Sequence, residues 1–309
     1  MKKIFSVFLV ISILILSLCG CDIKISRTKK DALVISGTEI NEEIYNYYLD
    51  VVTQRPGDYN ISSSKDEDAI KDAAIEQCKR YLAINTSFKE RNLKLTNAQK
   101  IEIADNVNNF WIRSEAHYEK IGVSRQTLSK ILTANEYEDA IFSSIYDKGM
   151  NDTEAESEIQ AYFYANYTAF LNICAYYTTG STTLTEQEKQ NLIASFEAIA
   201  QNSGESAEDF TNACSDAGYS ASSTVIIEKE SEGYPSGFFL KVYTMEPNTV
   251  RVFSYDDCVF CIRKESLASL GDEVYSNYRD TCIEKMYSAD WQQTVDNYLE
   301  NFTVDEVNI

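Results

Sequence analysis

Cys258-Val259-Phe260-Cys261 has the spacing that could support thiol–disulfide chemistry. Such a pair is reactive where its first cysteine sits at a helix N-terminus, whose partial positive charge lowers the thiol pKa. Here the flanking residues read as strand, and on a strand positions three apart point to opposite faces, so the spacing puts one thiol on each side and one of them in a core. That argues against a redox centre. A structural zinc site would need two more ligands at good spacing, and none lies nearby in sequence. His117, the only histidine, falls late in a helical stretch near its negative end, where it reads as a capping or surface residue, or as a pH-sensitive contact. A Ser-His-Asp triad would have to use it, and no Gly-x-Ser-x-Gly, Walker loop, Gly-x-Gly-x-x-Gly or His-Glu-x-x-His appears. No catalytic residue, cofactor or metal is therefore assigned. The aromatics Phe110, Trp111, Tyr162, Phe163, Tyr164 and Tyr167 could line a groove for peptide segments, since large rings offer contact area with little sequence demand. Their helical spacing suits a core equally well.

The N-terminus carries a different chemistry. Lys2 and Lys3 precede an apolar run from Ile4 to Leu18, then Cys19, Gly20 and Cys21. This has the form of an export signal over residues 1–20. Leu18-Cys19-Gly20-Cys21 resembles a bacterial lipobox, which makes Cys21 the acylated residue and lipid anchor. The alternative is an uncleaved helix, because the run is near the lower length limit for a membrane span. Residues 21–31 form a tether with a basic cluster of Lys24, Arg27, Lys29 and Lys30, suited to anionic lipid headgroups or to plain solvent. The expected location is the extracytoplasmic face of the cell membrane, lipid-anchored, on a surface of Gram-positive type. Without Lys2 and Lys3 the chain has 26 basic against 48 acidic residues, a net of −22. A surface this acidic excludes nucleic acid as a partner. The remaining cysteines besides Cys21 are Cys78, Cys174, Cys214, Cys258, Cys261 and Cys282, an even number that permits disulfides without selecting a pairing. Most could instead be small buried apolar residues.

The elements that must position these groups follow from periodicity. With 44% hydrophobic residues, 11 Gly and 3 Pro in 309 residues, the chain can bury a core and has few helix breakers. Residues 32–37 read as a strand, and Asn41 caps a helix carrying Ile44, Tyr47, Tyr48, Val51 and Val52 on one face. Further helices are expected around Ile70 to Phe88, from Thr96 to Lys120 after a Thr96/Gln99 capping box, and from Ser124 to Gly149. Beyond residue 150 the rhythm changes. Thr153 with Glu156 has the form of a cap for a helix to Tyr167. A strand follows at Phe170 to Tyr177, then helices capped by Thr185/Glu188 and Ser206. Val225–Ile227, Val250–Phe253 and Cys258–Ile262 read as strands around a short element at Phe238–Tyr243. A last helix runs from Asp272 and is expected to fold back onto the first lobe.

This order resembles the SurA/PrsA-type extracytoplasmic foldases. Residues 32–41, Ala-Leu-Val-Ile-Ser-Gly-Thr-Glu-Ile-Asn, are similar to that family's opening phrase. Ile121-Gly122-Val123-Ser124 with residues 128–132 is similar to its phrase before the isomerase module, Glu158–Tyr167 to the helix before the first parvulin strand, and Phe210–Ser215 to the module's second helix. The resemblance implies an α+β fold: a mainly helical chaperone-like lobe of SurA N-terminal type at 32–150, a small parvulin-like module at 151–265, and a returning helix at 266–309. It implies a membrane-anchored chaperone or foldase that binds unfolded exported polypeptides. Parvulins use paired histidines on adjacent central strands, and none occurs between Phe170 and Ser266. Isomerase activity is therefore expected to be weak or absent. An active prolyl isomerase using other groups, or a surface structural or adhesion lipoprotein, are the alternatives.

Overall fold

The computed structural model of the protein describes residues 31–63, 65–149 and 151–308. The signal, Cys21 and the tether up to Lys30 lie outside the described residues, and Asp31, counted with the tether, is instead the first residue of a strand. The architecture is α+β and divides into two compact units. Of the described residues, one unit comprises those up to Ile141 together with those from Asp296 onward, and the other those of Phe142–Val295.

In the first unit, β1 (Asp31–Ile35) and β2 (Thr38–Asn41) pair antiparallel with Ile35 opposite Thr38. The two-residue turn between them, Ser36 (φ 47°) and Gly37 (φ 72°), is left-handed at both positions, the geometry that matches the twist of a tight hairpin. On the other edge of β1 lies β9 (Val304–Val307), giving the order β2-β1-β9. Neither β2 nor β9 was expected from the pattern. The join is reinforced by Ser36 N donating to Thr303 O at 2.8 Å and Gly37 N donating to Asp305 Oδ2 at 2.7 Å. Ala32, Leu33 and Ile35 are buried against Ile44, Tyr45 and Val52 of α1 (Glu42–Gln54) and Ile70, Ala74 and Cys78 of α2 (Glu67–Glu90). Each large apolar side chain buried in this way contributes roughly 1.5–3 kcal/mol. α1 starts where expected, with Asn41 Oδ1 accepting from Ile44 N at 3.0 Å.

α3 (Asn97–Lys120) opens with the expected capping box. It ends at Gly122 (φ 75°), where Val123 N returns to Tyr118 O at 2.8 Å and closes the last turn. α4 (Arg125–Tyr146) follows, anchored by the Glu43 carboxylate, which accepts from Ser124 N at 3.2 Å and from the hydroxyls of Ser124 and Thr127.

The second unit is built on a sheet in which every pair is antiparallel, in the order β6-β3-β8-β7, from β3 (Tyr167–Tyr176), β6 (Val225–Glu228), β7 (Val250–Ser254) and β8 (Cys258–Glu265). β8 is buried along nearly its whole length because both faces are covered. One face packs Leu171, Ile173, Val259 and Cys261 against Phe196 and Ile199 of α6 (Glu186–Asn202) and Phe210 and Cys214 of α7 (Ala207–Asp216). The other packs Phe170, Cys258, Phe260 and Ile262 against Phe238 and Val242 of α8 (Phe238–Tyr243), which gives the short element there a helical identity. A small hairpin of β4 (Thr178–Thr179) and β5 (Thr182–Thr183) follows β3.

α5 (Thr153–Asn166) differs from expectation at its start. Asp152, not Thr153, is the cap, its Oδ1 accepting from Ala155 N at 3.2 Å. Glu156 instead turns inward, accepting from Arg279 Nε at 2.9 Å and from the Tyr275 hydroxyl at 2.6 Å, while Arg279 Nη2 reaches Asp147 Oδ1 at 2.9 Å. A buried arginine that needs counter-charge outcompetes a backbone cap that a neighbouring aspartate can supply. Tyr275 and Arg279 belong to α9 (Asp272–Leu299), whose Cys282 and Ile283 pack with Ile159, Phe163 and Tyr167. Of the segment expected to return to the first lobe, residues 272–295 fall in the second unit and residues 296–308 in the first.

Candidate functional site

α3 is the element that most departs from an ordinary amphipathic helix. Over 24 residues it buries only Ile103 and Val107. Ile101, Phe110 and Ile112 are 53%, 45% and 79% exposed. The helix is interrupted at Ser114, whose φ/ψ of −138°/19° leave the helical region, so Phe110, Trp111 and Ile112 sit in the turn just before a kink. Trp111 is oriented from both ends: its Nε1 donates to Glu115 Oε1 at 3.0 Å, and its ring stacks on Tyr118 at 5.9 Å, which in turn stacks on Tyr47 at 6.5 Å. Burial pushes the Tyr47 hydroxyl up to about 12, so this ladder is neutral and apolar throughout the physiological range. At 3.6 residues per turn Ile101 and Ile112 fall on one side of α3 and Phe110 on the other, beside Ile103 and Val107, so the helix offers separate exposed apolar side chains, each able to make non-directional contact with an apolar chain.

The other sequence-derived candidates are distributed differently. Tyr162, Phe163, Tyr164 and Tyr167 lie in the second unit, apart from the Phe110–Trp111 pair in the first. Phe163 and Tyr167 are core residues there, 1% and 3% exposed, and Tyr162 packs beside them, leaving Tyr164 as the exposed ring. His117 is an exposed residue, its Nε2 2.9 Å from Asp50 Oδ2 with Gln54 alongside.

Cys258 and Cys261 do point to opposite faces, but both are buried, 1% and 0% exposed, since the sheet is covered on each side. Burial pushes both thiols up to about 12, the reverse of a redox-active cysteine. Among the described residues no group of three or more His, Cys, Asp or Glu is placed to hold a metal.

On the α8 side of the sheet, β3 and β8 present Phe170, Cys174, Cys258, Phe260 and Ile262, with Lys241 lying 4.2 Å from the Tyr255 ring centre. No side chain here resembles a paired-histidine centre. A shallow depression of about 480 Å³ beside α8 is lined by Ile227, Tyr234, Phe238, Phe239, Leu240 and Tyr243. Two cationic residues are buried at the end of β8. Lys264 is 7% exposed, donates to Thr168 Oγ1, and has its amine pushed down to about 8 by burial. Arg263 is 2% exposed and donates to Glu205 O at 2.6 Å and Asn248 Oδ1 at 3.1 Å, tying the α6–α7 loop to the sheet. The signal for both was present as polar residues interrupting an apolar strand, Arg263-Lys264 after Cys258–Ile262.

No helix among the described residues is long and apolar enough to cross a membrane. No known protein-family profile matches the chain, and no curated protein matches it. Among solved structures, the chain is similar to the foldase protein PrsA of Streptococcus pneumoniae, at 10% identity over 87% of this chain and 93% of that one, with a TM-score of 0.41. The foldase protein PrsA of Lactococcus lactis is similar at 11% identity over 90% and 95% of the two chains, with a TM-score of 0.42. PrsA of Bacillus subtilis is similar at 10% identity over 91% and 94%, with a TM-score of 0.27.

Proposed function

We propose that the protein is a chaperone of foldase type, tethered to the extracytoplasmic face of the membrane through Cys21, that holds unfolded exported polypeptides against α3 without chemical conversion. The observation that carries this reading is the exposure of Ile101, Phe110 and Ile112 on one helix. Exposed apolar side chains favour association with apolar segments, and unfolded chains supply such segments whatever their sequence. The module at 151–265 serves as a binding or spacing element, with prolyl isomerisation weak or absent. The X-Pro barrier is ~18–20 kcal/mol, and the β3–β8 face offers thiols and rings in place of the paired histidines of a parvulin site.

Refolding of a test protein whose slow phase is prolyl isomerisation separates the possibilities. With stoichiometric protein the yield is expected to rise while the slow rate stays unchanged, and Phe110→Ser with Ile112→Ser is expected to cut the yield gain severalfold. Acceleration at substoichiometric amounts would replace this reading with an active isomerase. An effect on neither rate nor yield would replace it with a structural or adhesion role.

A further inference from the structure

The fold sorts the described cysteines in a way that the sequence spacing hides. Cys258 and Cys261 are sequence neighbours but face away from each other, and each meets a cysteine from elsewhere in the chain. Cys261 shares its cluster with Cys214 of α7, while Cys258 shares the opposite face of the sheet with Cys174 of β3. Cys78 and Cys282 sit in separate clusters without a second cysteine.

The Cys174–Cys258 couple is the closer to chemistry. In the β3–β8 register Cys258 stands opposite Tyr176 and Cys174 opposite Phe260, so the two cysteines are diagonal neighbours on one face. The right-handed twist of paired strands swings one diagonal of each such square inward. Here the two thiols share one apolar cluster and lie close enough to act on each other's titration. Cys174 is partly exposed and Cys258 is enclosed. Phe238, Phe260 and Ile262 line the couple with apolar surface, and the Asp257 carboxylate beside Cys258 adds a negative charge that opposes a thiolate there. Such a setting disfavours two thiolates but accommodates a neutral, compact disulfide.

We infer that Cys174 and Cys258 form an oxidisable dithiol that closes into a cross-strand disulfide joining β3 to β8, by exchange with a small-molecule disulfide. The Cys174 sulfur, deprotonated, attacks one sulfur of the reagent and expels a thiolate, leaving a mixed disulfide on Cys174. The Cys258 sulfur, losing its proton, then attacks the Cys174 sulfur and expels the second thiolate. Two protein thiols are oxidised, one external disulfide is reduced to two thiols, and the two protons leave with them. The partly exposed thiol is the entry point and the enclosed one resolves. Burial raises both thiols above their ordinary value, so the exchange is slow, and the product is a structural link rather than a cycling redox centre. The link constrains the unfolded chain by closing the long loop between the two strands.

The test is to incubate the reduced full-length protein with oxidised glutathione, block remaining thiols after unfolding, and map the digest by mass spectrometry without reduction. The expected product is a cross-linked peptide pair carrying Cys174 and Cys258, with Cys78, Cys214, Cys261 and Cys282 alkylated, and a thermal midpoint about 5 °C above the reduced protein. Cys258→Ala is expected to stop at glutathione on Cys174 with no gain in midpoint, and Cys174→Ser to leave position 258 unmodified. Circular dichroism of both variants establishes that they are folded. Glutathione persisting on Cys174 of the unaltered protein without a cross-link, no modification of Cys174 at all, or a link between Cys214 and Cys261 in its place, would each overturn the inference.

Discussion

α2 and α3 are both 24 residues long, belong to the same unit and contain a comparable set of apolar residues, yet they end in opposite states. α2 buries Ile70, Ala74, Cys78, Ala83, Ile84, Ser87 and Phe88, whereas α3 buries Ile103 and Val107. The difference lies in the neighbours. β1 and α1 lie along α2, and Tyr137 of α4 stacks on Phe88 with ring centres 3.8 Å apart. α3 keeps its turns through a capping box and through the Trp111–Tyr118–Tyr47 ladder, neither of which covers Phe110 or Ile112. Apolar content thus specifies only that a helix can be covered. Whether it is covered is decided elsewhere in the chain.

The contrast breaks most easily at its covered end. Phe88→Ala is expected to destabilise the first unit by about 3–5 kcal/mol, through lost transfer free energy and the cavity left beside Tyr137, as read by urea unfolding. A loss below about 1 kcal/mol would mean that α2 is no more committed to its neighbours than α3 is.

A third case, fixed by charge, sharpens the comparison at α9. The Arg279 guanidinium beside Asp147 holds that carboxyl below its ordinary value of 3.8. A depressed carboxylate adds stability that is fully present above the ordinary value and fades as pH falls through the folded one. The second unit is therefore expected to lose stability below about pH 4, and Asp147→Asn to flatten that part of the profile while lowering stability at neutral pH by less than Phe88→Ala does in the first unit. The same acid slope in the variant would assign the fade to other carboxylates.

The smallest effect belongs to the uncovered helix. Ile112→Ser is expected to shift unfolding by no more than about 0.5 kcal/mol, since a side chain 79% exposed in the folded state has little burial to lose. A loss of 2 kcal/mol or more would show that α3 is covered in solution.

The same logic separates what was legible in the sequence from what was not. Local signals read well: the Asn41 cap, the Thr96/Gln99 and Thr185/Glu188 boxes, and the alternation of Cys258 and Cys261 depend on residues within one turn or one strand. Glu156 misled because its spacing from Thr153 is that of a box, while its real partners, Tyr275 and Arg279, lie more than a hundred residues away. β9 left no trace because Val304-Asp305-Glu306-Val307 is exposed throughout and is a strand only by virtue of β1. At the candidate site, Phe110 and Trp111 could be picked out by type, but Ile101 and Ile112 could not. Both fall on the side of α3 opposite the buried Ile103 and Val107, a placement that residue type alone does not give.

The pairing of β1 with β9 also sets an order of assembly. Phe142–Val295 is one uninterrupted stretch, so all of its strands and helices can come together as soon as that stretch is available. The first unit must wait, because the central strand of its sheet obtains its second neighbour only from residues 304–307. In a chain that emerges from its N-terminus, α1 to α3 are made first yet completed last. For that interval the edge of β1 is an open row of backbone donors and acceptors, until the end of the same molecule arrives to close it.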